Sequence, residues 1–266
     1  MKAQLLLVSI VFGLAGISAC AGQKQKAVSE EKAEDVWKDY PVGYIVFDDQ
    51  APETEGSKVY HRIVTHPQDY IAEQARTVLA TLYDAPSDSI VPVDTIHYSL
   101  QDIEGVSAKD GGNGVVSIFY STRHIEKSFA ANDTAKLFFE TRGVLLHELT
   151  HAYQLEPQGI GSYGTNRVFW AFIEGMADAV RVANGGFTPA DRPKGGNYMD
   201  GYRTAGYFFV WLKDNKDKDF LRKFNRSTLE VVPWSFDGAI KYALGNEYDI
   251  DSLWHEYQVA VGDIQE

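Results

Sequence analysis

The chain of 266 residues holds a single cysteine, Cys20, close to its start. The residues after it therefore form no disulfide among themselves and supply no cysteine nucleophile or thiolate metal ligand. Positive charge is also scarce: 25 Lys and Arg stand against 37 Asp and Glu, for a formal charge of −12. Nucleic-acid binders usually carry a basic face that tracks phosphates, so no nucleic acid is expected as a partner. Long apolar runs are missing as well, except from Leu5 to Ile17, which is too short for a convincing membrane span.

That run sits in "MKAQLLLVSIVFGLAGISACAG", a lysine, an apolar stretch and then small residues, which reads as a targeting segment. Its tail, Ile17-Ser18-Ala19-Cys20, resembles the lipobox of bacterial lipoproteins. The resemblance implies cleavage before Cys20 and a lipid on that cysteine; the competing reading is an ordinary secretory signal cut after Ala19 or Ala21. We thus expect residues 1–19 to be a signal peptide, 20–36 a flexible, polar tether, and 37–266 one catalytic-sized domain. The expected location is the bacterial cell envelope, with the lipid as the contact to membrane, because an acidic domain is not drawn to anionic lipid by its charge.

Within the domain, "YPVGYIVFDDQ" reads as a strand, and "HPQDYIAEQARTVLATLYDAP" has helical spacing at Ile71, Ala75, Val78, Leu79 and Leu82. The stretch "DTIHYSLQDIEGVSAKDGGNGVVSIFYSTRHI" alternates and turns like a hairpin around "DGGNG". After Ala131 the pattern becomes mainly helical: 132–154, 166–186, and then two or three more helices. A mixed sheet and helix lobe followed by a mainly helical lobe is an α+β order.

The chemistry gathers in "GVLLHELTHAYQLEP". His147 and His151 are four apart, so on a helix their rings share a face and can converge on one ion, with Glu148 beside it. This H-E-x-x-H spacing is expected of a zinc hydrolase in which the glutamate handles protons. The competing reading is a helix with two partly buried, hydrogen-bonded imidazoles. A catalytic zinc normally takes three protein ligands. Gln154 and Pro157 stand where an extended motif needs Gly and His, and Val168 stands where a G-T-x-x-D motif needs its aspartate, so both of those sources are excluded. There remains "IEGMADAVR", whose Glu174 and Asp178 are again four apart. Glu174 can complete the set and Asp178 can orient a ligand histidine. The competing reading is a solvated acidic face near Arg181. Glu156, just past the helix, is another carboxylate, more simply read as an exposed loop residue.

Together "HELTHAYQ", "FIEGMADAVR" and "GYRTAGYFFVWL" resemble the basic secretory protein family of plants and bacteria, zinc peptidases of the glutamate-ligand (gluzincin) kind. The likeness spans about residues 40–260. It implies a zincin-like fold, Zn2+ held by His147, His151 and Glu174, Glu148 as catalytic base, Asp178 behind the ligands, and a peptide or protein substrate. This chain departs from the family's name in being acidic, and its third motif is looser. Tyr202 is the first choice for stabilising the developing oxyanion, with Tyr163 and His255 as candidates. The strand "GVVSIFYSTRH" offers either an edge for an extended peptide or an interior position, and the loop "PQGIGSYGTN" borders the cleft. Two other function classes remain at this stage: a non-catalytic glycan- or peptide-binding lipoprotein, and a zinc amidase acting on a cell-wall crosslink.

Overall fold

The computed structural model describes residues 36–265; the expected signal peptide, Cys20 and almost all of the expected tether lie outside the described residues. Elements follow in the order β1 (Tyr44–Asp49), α1 (Glu55–Ile63), α2 (Pro67–Leu82), β2 (Thr95–Gln101), β3 (Ser107–Gly112), β4 (Val115–Ser121), α3 (Thr122–Ser128), α4 (Thr134–Tyr153), α5 (Arg167–Ala183), α6 (Tyr202–Asn215), α7 (Phe220–Glu230), α8 (Phe236–Leu244) and α9 (Ile250–Ala260). Mixed sheet first and helices after is the α+β order expected. The short helices α1, α3 and α8 were not foreseen. None of the described helices is long and apolar enough to cross a membrane.

The sheet order is β1-β2-β4-β3. β1, β2 and β4 are parallel neighbours, and β3 returns antiparallel to β4 with Gly112 opposite Val115. Asn113 and Gly114 make that return in two residues, both with positive φ (51° and 82°), the backbone that a tight hairpin turn requires. The hairpin thus exists, but β2 is no part of it. "GVVSIFYSTRH" is the interior limb, β4, and the free edge belongs to β3.

One face of the sheet is covered. Ile96, Tyr98 and Leu100 of β2 and Val116, Ile118 and Tyr120 of β4 are buried, while the intervening His97 and Ser117 are exposed, the alternation that fixes which face meets the core. α2 and α4 pack on the buried side, and α4 also reaches β3. On its other flank α4 packs against α5, and α5 against α6. The last contact is close because of small residues: a Cβ on Gly175 would stand 2.7 Å from the Ala205 Cβ and the Phe209 ring, and one on Gly206 2.9 Å from the Asp178–Ala179 backbone. α5 is thereby held on both sides, and with it the two carboxylates it carries.

Candidate metal centre

α4 carries His147, Glu148 and His151. It starts at Asp133, whose side chain accepts from the Lys136 amide, and it stops at Gln154, which adopts extended backbone before Pro157. α5 starts at Asn166, whose side chain accepts from the amides of Val168 and Phe169. The two helices face each other so that His147 Nε2 lies 3.3 Å and His151 Nε2 3.6 Å from Glu174 Oε2, with the two ring nitrogens 3.1 Å apart. One ligand atom from each of these residues falls within 4.8 Å of the others, a group that could hold a metal ion. Glu174 is 3% exposed, and its Oε2 has no hydrogen-bond partner. A buried carboxylate oxygen aimed at two imidazole nitrogens and bonded to nothing is costly unless a cation satisfies it. The residues present therefore fit a metal of the nitrogen-and-oxygen kind.

The outer partners fix the rings. Asp178 on α5 accepts from His147 Nδ1–H at 2.7 Å, which turns the Nε2 lone pair toward Glu174. Gln154, 4% exposed, has its amide nitrogen 2.8 Å from His151 Nδ1, while its Oε1 is buried and unbonded. With the amide turned end for end, Oε1 would accept from Nδ1–H and leave His151 Nε2 free to face a metal. Sequence reasoning used Gln154 only to exclude a longer motif. Its place three residues after His151 was the available signal.

Without an ion the site holds charge in its own way. Burial pulls the His147 pKa down, but the Asp178 and Glu174 carboxylates outweigh it and push the imidazole up to about 10. Burial likewise works against ionised Glu174, yet the neighbouring imidazoles of His147 and His151 hold it well below the usual carboxylate range. Arg181 takes no part: it donates to Glu140 Oε2 on α4 at 2.8 Å and to the Gly186 carbonyl at 3.0 Å. The acidic pair is accordingly no solvated face near that arginine.

A hollow of about 320 Å³ opens over these residues, bordered by Ser107, Ala108 and Lys109 of β3 and by Glu148, Tyr163 and Tyr202 among others. Glu148 is 6% exposed at its floor. Tyr202 opens α6 with φ 41°, a left-handed backbone that a bulky residue adopts only under constraint. Its ring lies nearly parallel to that of His147, with centroids 6.0 Å apart, and edge-on to Trp170. Tyr163, from the loop before α5, donates its hydroxyl to Glu174 Oε1. Burial, reinforced by Glu174, raises the pKa of both phenols, so both are donors at neutral pH. His255 lies exposed on α9 and does not border the hollow, so it leaves the set of oxyanion candidates. Glu156 is exposed at the rim and stands outside the metal-binding group.

A search of curated proteins returned no match. Residues 44–257, most of the chain, match the family model BSP, described as peptidase of plants and bacteria, and the chain belongs to that family.

Proposed function

We propose that the protein is a zinc-dependent metallopeptidase on a zincin-like fold, with His147, His151 and Glu174 as metal ligands and Glu148 as general base. The observation that carries this reading is the unbonded, buried Oε2 of Glu174 facing two histidine nitrogens; membership of a peptidase family supports the reaction class. A zinc ion bound there supplies Lewis acidity, polarising a carbonyl and lowering the pKa of water toward neutrality.

The chain's own residues do the rest. The Glu148 carboxylate takes the proton of the attacking water and returns it to the leaving amine, so no covalent enzyme intermediate is needed. The hydroxyl of Tyr202, with Tyr163 beside it, donates to the oxygen on which negative charge develops. Phe169 and Ile173, apolar residues that border the hollow, form a wall for a substrate side chain. The free edge of β3 gives an extended peptide main-chain partners along Ser107–Lys109. Anchoring through a lipid on Cys20 at the bacterial cell envelope belongs to the same proposal, and labelling with a palmitate analogue, lost in Cys20→Ser, tests it.

Replacement of Glu148 tests the mechanism. Glu148→Ala should keep its zinc and lose roughly 10²- to 10⁴-fold in peptide hydrolysis. Undiminished hydrolysis, or loss of the metal, would remove Glu148 from the role.

A further inference from the structure

The hollow over the metal-binding group is open at its His151 end. A second hollow of about 500 Å³ continues it, and Lys109, His151, Gln154, Glu156 and Phe169 border both. β3 runs along the rim of the pair: Ser107 and Ala108 border the first, Gly111 and Gly112 the second, and Lys109 both. As β3 ends the sheet, the far side of its backbone is unpaired. Its 6 residues, at about 3.3 Å each, make an edge of about 20 Å, long enough to carry a peptide strand through both hollows.

The walls of the second hollow say what enters it. Past the junction they carry no charged side chain: Pro92, Val93, Leu155, Pro157 and Leu229 stand there with the uncharged polar Asn113, Gln158 and Ser162. The charged or titratable side chains that border it, Lys109, His151 and Glu156, are the ones shared at the junction. Arg222 and Arg226 border a separate hollow beyond Leu229 and face Asp84, Asp219 and Glu230. A free ammonium or carboxylate terminus covered by these walls would give up water without gaining a counter-charge. An uncharged stretch of chain that passes through meets no such penalty.

We propose that the second hollow is a binding arm for the uncharged continuation of an extended polypeptide, so that the protein cuts within chains rather than at their ends. This inference rests on the peptidase reading above. Leu229, 38% exposed, borders this hollow and lies outside β3, so a charge placed there changes the arm without altering the strand.

The test compares wild type, Leu229→Arg and Leu229→Asp on an N-acetylated, C-amidated decapeptide of uncharged residues and on a tetrapeptide cut from its centre. Mass spectrometry locates the cleavage, and kcat/KM is measured for each peptide. Wild type is expected to cut the blocked decapeptide internally. Leu229→Arg and Leu229→Asp should each lower the decapeptide-to-tetrapeptide ratio of kcat/KM about tenfold, mainly through KM, the size of one lost apolar contact. Cleavage confined to terminal residues, or an unchanged ratio in both variants, overturns the arm and leaves the peptidase reading standing. Failure of wild type to cut any peptide overturns both.

Discussion

His147 Nδ1 and Asp178 Oδ1 lie 2.7 Å apart, one on α4 and the other on α5. This bond joins the two helices that carry the proposed ligands, at the point where the ring must be aimed. Outer partners of this kind typically contribute 10- to 100-fold to metal affinity. Asp178→Ala is therefore expected to weaken zinc binding by about that factor, read by competition with a chromogenic chelator, while Asp178→Asn, which keeps an acceptor oxygen, loses less. Equal loss in both variants would place the effect in charge rather than in the hydrogen bond.

Gln154 does for His151 what Asp178 does for His147, from the turn rather than from a helix. Gln154→Glu keeps an acceptor beside Nδ1 and should bind zinc as well as wild type or better. Gln154→Leu should weaken binding about tenfold or more. The same chelator competition, with thermal melting of the metal-free proteins as a check on folding, reads the difference. Identical affinity in Gln154→Leu and wild type would show that His151 needs no such partner.

Protons compete with the ion at His147. In the metal-free protein its pKa is pushed up to about 10, so at neutral pH the imidazole is charged. Zinc binding at pH 7 should then release a proton, and affinity should rise as pH rises toward that value. Stability of the metal-free protein follows the opposite sign. A raised imidazole pKa stabilises the fold fully below the ordinary value of 6.5, and that contribution is lost as pH climbs through about 10. Calorimetry of zinc binding in two buffers of different ionisation enthalpy counts the protons, and melting of the metal-free protein across the same range reads the stability. Binding without proton release would contradict the charge assigned to His147.

Much of the site was legible because its signals are local. Two pairs at a spacing of four, His147 with His151 and Glu174 with Asp178, need only helices to become useful, and both helices are long, capped and periodic. What brings them together is not local. The approach of α5 to α6 depends on Gly175 and Gly206 meeting atoms far away in sequence, which no window of residues reveals. Strand position stayed open for the same reason. β3 and β4 are both limbs of one hairpin, and only the parallel pairing of β4 with β2 decides which limb is left as the edge. The 9, 7 and 9 residues of α1, α3 and α8 give too few turns for an apolar stripe to stand out. Gln154 escaped because its backbone leaves the helix and its side chain folds back, a geometry set by the turn toward Pro157.

The central claim is that one ion sits between α4 and α5, and diffraction at the zinc absorption edge tests it most directly. Crystals of the protein grown with zinc should give a single strong anomalous peak within bonding distance of His147 Nε2, His151 Nε2 and a Glu174 carboxylate oxygen, about 2.0–2.2 Å from each. A peak elsewhere, or none between these three residues in zinc-replete crystals, would contradict the account.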